Sequence, residues 1–228
     1  VAFQESQLHV LREKAELYEN TEGFSGVYLD SACLYKTVPK LASGIKGGVY
    51  TYGNAALDSY RYTVALAEGV KQCGGEIYTD VVTGLSRKNN RVTAVITNER
   101  EILCEKVVLA MGPWFGQLEA WLDISVPIEP LRGEILRMDS CEGLDHDLAD
   151  FEVSLFNRRG LIWIGTTEEN CGFNVNPSAN TRHMLIAGAL KLIPSIRNAR
   201  LVDHTVCLRP VTPDWLPLIG LVPGYSNV

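Results

Sequence analysis

The sequence predicts a mixed fold: an α/β segment interleaved with a mostly antiparallel α+β sheet. Three observations carry this. Residues 107–111, Val107-Val108-Leu109-Ala110-Met111, form an unbroken apolar run. Continuous apolarity is the pattern of a strand buried on both faces, as in a central parallel strand. Upstream, an amphipathic helix pattern lies between two short strand patterns and reads as a strand–helix–strand crossover. Downstream of Ser125, strand patterns come in pairs with one covering helix, as in an antiparallel layer.

Taken in order, Ser6 is placed to cap a helix whose Leu8, Leu11, Ala15 and Tyr18 recur at three- and four-residue spacing. Asp30-Ser31 caps a second, short helix that Pro39 ends. Residues 44–52 are glycine-rich, a loop running into a strand over 48–52. Asp58 is the N-cap of a helix that keeps Leu57, Tyr60, Val64, Ala67 and Val70 on one face, and Gly74-Gly75 supply its left-handed stop. Residues 76–79 then read as the strand that completes the crossover. Strands over 81–87 and 91–97 flank the turn Lys88-Asn89-Asn90, and 102–111 extends this meander into the apolar run that stops at Gly112-Pro113.

Strands follow over 126–138, 151–157 and 161–166, the last two joined by Arg158-Arg159-Gly160. A helix over 181–193, capped by Asn180 or Thr181 and stopped by Pro194, precedes a strand over 200–207. The resulting division is a helical and loop approach over 1–50, one domain over 51–122, a second over 123–208, and a return to the first over 209–228.

Composition narrows the function. With 21 basic against 27 acidic residues the net charge is −6, and no lysine- or arginine-rich block occurs. A nucleic-acid surface is therefore not expected. No apolar run approaches the roughly 20 residues of a membrane-spanning helix. The six cysteines (33, 73, 104, 141, 171 and 207) show no C-x-x-C pair, so they read as reduced thiols. A proline blocks glycosylation of Asn176-Pro177-Ser178, and the setting is read as cytoplasmic. Val1-Ala2-Phe3-Gln4 at one end and Tyr225–Val228 at the other are read as cut from something longer.

Histidines 9, 146, 183 and 204 have no catalytic or metal spacing, and no G-x-S-x-G elbow is present. The acidic stretch Asp139, Glu142, Asp145, His146, Asp147, Asp150 lacks the glycine-punctuated spacing of a calcium loop and reads as a solvated loop. The strongest chemical signal is Leu208–Gly220, in which Arg209 precedes Pro210, Pro213 and Pro217. Three fixed φ angles give the arginine a preset direction, which suits a two-pronged grip on a carboxylate. A buried ion pair with Asp214 is the structural alternative.

This segment resembles the "R-P-x-T-x-D-x-x-P-x-I-G" run of the D-amino-acid-oxidase-like flavoproteins, a family of glycine oxidases, sarcosine oxidases and D-amino-acid dehydrogenases. The resemblance extends along most of the chain. Residues 39–52 resemble "P-x-L…G-G-x-Y". Leu57-Asp58-Ser59 is similar to "L-D-P", with serine for proline. Residues 107–114 resemble "V-V-x-A-x-G-x-W", residues 127–136 resemble "P-x-x-P-x-R-G-Q" with Glu134 for glutamine, and Gly165-Thr166-Thr167-Glu168 resembles "G-T-T-E". The order and spacing of these segments make the match specific, although the G-x-G-x-x-G fingerprint that receives the FAD pyrophosphate is absent, and Gly44-Ile45-Lys46-Gly47-Gly48 has the wrong spacing for it.

The resemblance implies an incomplete FAD-binding, Rossmann-like domain of the GR2 type with a β-meander, interleaved with an antiparallel substrate domain. It implies oxidation of an amine or amino acid, with hydride passing to flavin N5 and the imine hydrolysing to a keto acid. O2 or a quinone would serve as electron acceptor. Arg209 would hold the substrate carboxylate. Val82 would meet the adenine, Ala110, Gly112 and Trp114 would lie under the FAD, and Arg132, Gly133, Pro217 and Gly220 would complete the cofactor site. Structural alternatives are a strand-end turn at Gly112, helix packing at Ala110 and a salt-bridged turn at Arg132-Gly133. For the whole chain the alternatives are a truncated or degenerate member without catalysis, and a glycerol-3-phosphate-dehydrogenase-like flavoenzyme. The 228 residues alone are expected to retain FAD weakly or not at all, for want of the pyrophosphate cradle.

Overall fold

A computed structural model describes residues 1–140 and 142–228; Cys141 lies outside the described residues. The chain divides into two compact units. The first is Val1–Ala55 with Leu131–Leu208, the second Ala56–Pro130 with Arg209–Val228.

The first unit opens with α1 (Leu8–Glu19), β1 (Ser25–Asp30), α2 (Ser31–Thr37) and β2 (Gly47–Tyr52). Ser6 does not cap α1: it sits inside a 3-10 turn over Glu5–Gln7, where Gln4 and Gln7 form a capping box instead. Asp30 caps α2 as expected, its carboxylate accepting the Cys33 N–H at 2.8 Å. The antiparallel pairing of β1 with β2, in register from Ser25↔Tyr52 to Asp30↔Gly47, was not foreseen.

In the second unit, α3 (Ser59–Gln72) starts at Asp58, which accepts the Arg61 N–H at 3.1 Å, and stops before Gly74 at φ +82°. No residue of α3 is buried. The expected crossover is not formed. Residues 76–79 join no strand, because an extended segment becomes a strand only beside a ladder partner and none pairs with them among the described residues. The meander is β3 (Val82–Lys88), β4 (Arg91–Thr97) and β5 (Glu101–Leu103), all antiparallel, with Asn89 at φ +55° in the first turn.

The predicted central strand over 107–111 is also corrected. It makes no ladder and is not covered on both sides. Val107, Leu109 and Met111 pack on the buried cluster of Val92, Leu118, Leu122 and Val228, while Val108 is 90% exposed on the other side. Burial thus alternates where the sequence does not, because only one face has a neighbour. The run leads into a 3-10 turn over Gly112–Gln117 and the short α4 (Leu118–Leu122), neither foreseen.

The first unit resumes with β6 (Glu129–Asp139), β7 (Leu148–Ala149), β8 (Ser154–Arg158), β9 (Leu161–Gly165), α5 (Ala179–Leu192) and β10 (Arg200–Val211). The sheet order is β10-β6-β9-β8-β7, with β6–β9, β8–β9 and β7–β8 antiparallel. The β8–β9 turn falls at Arg159 and Gly160, at φ +57° and +76°. The N-cap of α5 is Ser178, two or three residues before the expected Asn180 or Thr181. Its helix buries Leu185, Ala189 and Leu192 in a core shared with Leu136, Leu155 and Ile164. β10 is four residues longer than expected, so Arg209 and Pro210 belong to a strand.

The acidic stretch is solvated as expected, with Asp139, Glu142, Asp145 and Asp147 exposed, although part of it is strand and its acids form surface ion pairs. Asp139 pairs with Arg200 at 3.0 Å, Asp145 with Lys40 at 3.7 Å and Asp147 with Arg158 at 2.7 Å, and residues 148–149 form β7. Among the described residues, no helix is long and apolar enough to cross a membrane.

Candidate functional site

A cleft of about 600 Å³ opens in the second unit, within the size range of small-molecule sites, about 300–1,000 Å³. One wall is the bared edge of the apolar run and the turn after it: Leu109, Ala110, Gly112 and Phe115. The other is the proline-punctuated run from Pro210 to Leu218. Among the described residues, no charged side chain lines it, and Thr212 is its one hydroxyl. Such a lining suits a flat, weakly polar ring.

Two backbone features shape the cleft. Gly112 adopts φ +55°, and nothing lies within 4 Å of where a Cβ would stand. A side chain there would be strained by the backbone and would project into open space, so the glycine keeps the wall low. Opposite, residues 212–216 form a tight clasp. Thr212 Oγ1 donates to the Leu216 carbonyl at 2.8 Å, and Asp214 Oδ1 accepts the Leu216 N–H at 3.1 Å. The Leu216 amide holds the Asp214 carboxyl below the ordinary carboxylate range.

Of the residues singled out in the sequence, Ala110, Gly112 and Pro217 meet in this cleft. Arg209 is half-buried on β10, immediately before the lining residue Pro210. Val82, at the start of β3, is 39% exposed, Trp114 is 50% exposed in the 3-10 turn, and Gly220 is exposed; none of the three lines the cleft.

Arg132 and Gly133 are buried on β6 in the first unit. There Arg132 shows the salt-bridged alternative, on a strand rather than at a turn. Its Nη2 donates to Glu169 Oε2 at 2.6 Å and lies 3.4 Å from Glu134 Oε1, and its Nη1 donates to the Asn176 carbonyl at 3.3 Å. Glu134, fully buried, also accepts the Ser178 N–H at the start of α5 and lies 2.6 Å from His204 Nε2. Burial pushes the Glu169 carboxyl up, but hydrogen bonds from Arg132 and Thr181 outweigh it and hold the group below its ordinary range. Sequence spacing could not have found this network, since its links from Arg132 and Glu134 on β6 reach 37 to 70 positions along the chain, to Glu169, Asn176, Ser178 and His204.

A second cleft of about 770 Å³ in the first unit carries Asp150, Glu152, Glu168 and Glu169. Its acids are largely engaged: Asp150 accepts the Glu152 and Val153 amides, Glu152 pairs with Lys191 and Glu169 with Arg132. Among the described residues, no group of three or more His, Cys, Asp or Glu side chains could hold a metal ion.

The FAD dependent oxidoreductase (DAO) pattern matches residues 1–228, the whole chain. The chain belongs to that family. Glycine oxidase of Pseudomonas putida is 30% identical over 204 residues, 88% of this chain and 56% of that protein. Glycine oxidase of Pseudomonas aeruginosa is 33% identical over 198 residues, 85% of this chain and 54% of that protein. The chain therefore spans about half the length of the curated relatives it matches. In fold it is similar to the crystal structure of glycine oxidase from Bacillus cereus, with a TM-score of 0.90 at 24% identity, covering 99% of this chain and 64% of that one. The mixed α/β fold with antiparallel sheets expected from the sequence is thus the fold of this family.

Proposed function

We propose that the chain is part of an FAD-dependent oxidase or dehydrogenase of amines or amino acids, and that the cleft of the second unit receives the isoalloxazine ring. The observation that carries the reading is the convergence of Ala110, Gly112 and Pro217 on one uncharged cleft directly beside Arg209. The residues present fit the ring: the walls are apolar, and Gly112 leaves open space where any other residue would project. They do not fit the pyrophosphate, since the chain has no G-x-G-x-x-G element.

When bound, FAD supplies a hydride acceptor at N5. The chain's own residues then have positioning tasks. Arg209 lies on β10 immediately before the lining residues Pro210 and Val211. From there its guanidinium grips the substrate carboxylate in two places and holds the α C–H toward the ring. The apolar walls exclude water from the transfer, and the imine released is hydrolysed to a keto acid. In this reading residues 51–122 with 209–228 belong to the cofactor domain and 123–208 to the substrate domain. Val82 faces the adenine, and Trp114 and Gly220 border the cofactor. Arg132 and Gly133 support the substrate sheet. The electron acceptor is O2 or a quinone, and the setting is the cytoplasm.

The test uses the FAD-loaded protein of which this chain is proposed to be part, whose flavin band near 450 nm (about the usual flavin position) should bleach anaerobically with a suitable amino acid. Arg209→Lys should raise KM and lower kcat together, with kcat/KM falling about 100-fold as a bidentate grip becomes a point contact. Bleaching by amino acids and by their decarboxylated amines at equal rates would refute the carboxylate grip.

A further inference from the structure

Trp215 departs from what its position asks for. It sits at φ +60°, a left-handed backbone that glycine adopts freely and a bulky side chain resists. Its ring is not kept there by a core, since the residue is 64% exposed, yet it lines the uncharged cleft. What keeps the backbone in place is the clasp around it. The Trp215 N–H donates to the Thr212 carbonyl at 3.1 Å, and the two hydrogen bonds between Leu216 and the side chains of Thr212 and Asp214 close the turn on either side. Thr212, the anchor of the clasp, is buried. Strain that persists because its surroundings over-determine it is concentrated at ligand-binding positions.

We infer that the Trp215 indole is the wall against which the isoalloxazine ring lies, with the Thr212–Leu216 clasp holding it in that pose. The inference rests on the cleft being the ring site. It adds a residue to which neither the Arg209 motif nor the fold assigned a role. An indole offers a large flat face with only two side-chain torsions to fix, and stacks on other aromatic systems in offset or edge-on arrangements. Ala110 and Gly112 on the opposite wall are small enough to leave that face open to a ring between them.

Riboflavin carries the ring without the pyrophosphate, so it probes the cleft in this chain directly. An indole in contact with an excited flavin quenches it by passing an electron that then returns, and a phenyl ring does not. Bound riboflavin should therefore emit weakly on the wild-type chain and strongly on Trp215→Phe at similar affinity. Trp215→Gly removes the stacking face and should weaken binding about three- to tenfold. Because the side chain is largely exposed, both variants should melt close to the wild type, which thermal denaturation checks. Equal emission from riboflavin bound to the wild type and to Trp215→Phe would overturn the inference while leaving the cleft assignment standing. A wild-type chain that binds no riboflavin on equilibrium dialysis, even with the ligand at its solubility limit so that weak binding would show, would instead sink the cleft assignment on which it rests.

Discussion

Replacing Glu169 with glutamine tests the buried charge network of the first unit. In the wild type, Glu169 Oε2 accepts from Arg132 Nη2 at 2.6 Å and Oε1 accepts from Thr181 Oγ1 at 3.1 Å. Glutamine keeps the shape but offers one acceptor oxygen instead of two, and it removes the negative charge. A charge-assisted hydrogen bond contributes about 1.5–3 kcal/mol, roughly twice a neutral one. Arg132 retains Glu134 at 3.4 Å, so its charge is not stranded and the penalty stays below that of breaking an isolated buried pair. The expected loss is about 2 kcal/mol at pH 7.

The pH dependence follows from the direction of the shift. The Glu169 carboxyl is held below its ordinary value in the folded state, so the unfolded chain takes up its proton first as pH falls. Its contribution is complete above the unfolded value and is lost as pH falls through the folded one. Wild type and Glu169→Gln should therefore differ most at neutral pH and converge in acid. Urea denaturation followed by circular dichroism, from pH 7 down to about pH 3, measures this. A gap that stays constant over that range, or no gap at pH 7, would refute the charge argument.

Two other substitutions probe the cores. A Cβ at Gly188 would stand 2.6 Å from Val153 Cγ1, a buried and β-branched neighbour that cannot easily turn away. Gly188→Ala gains about 1 kcal/mol of helix propensity but overpacks by about 1–3 kcal/mol. A net loss in melting temperature is expected, relieved by adding Val153→Ala; a simple gain in stability would contradict the packing. Asn227 accepts the Val92 N–H at 3.0 Å and donates to the carbonyls of Val92 at 2.7 Å and Glu105 at 2.9 Å. Asn227→Ala strands buried backbone groups and should cost about 2–4 kcal/mol in chemical denaturation of the second unit; a loss under a few tenths would show that water replaces the side chain.

Where one local cause sufficed, the sequence was legible. Asp58 and Asp30 cap their helices because a short carboxylate reaches the amide three positions on. Asn89 and Gly160 take left-handed turns because neither resists them strongly. Legibility failed wherever a distant partner decided the outcome. The register of β1 comes from β2, some 20 residues later. The cap of α5 moved to Ser178, whose backbone N–H is tied to the buried Glu134. Residues 107–111 look centrally buried because apolarity records what a strand can pack against, whereas exposure records what packs against it. The candidate site was half legible. Ala110, Gly112 and Pro217 were named from motif positions, but Trp215 was not, because nothing in Asp214-Trp215-Leu216 announces a positive φ.

The two arginines that the sequence offered for chemistry now differ in kind. Arg132 is held within the protein: two carboxylates and a backbone carbonyl meet its two terminal nitrogens, its buried Nε has no hydrogen-bond partner among the described residues, its side chain is 6% exposed, and a substrate carboxylate would have to displace Glu169 to reach it. That exchange gains nothing, since one carboxylate replaces another and the displaced one must find new partners on a partly buried wall. Arg209 borders a cleft that has no charged lining among the described residues. Electrostatic interactions strengthen as water leaves such a site, so a cation at its edge attracts an anion more strongly there than at the open surface. The apolar character of the cleft and the role proposed for Arg209 therefore support each other. Walls that suit a flat ring also strengthen the hold of the guanidinium beside them on an acid.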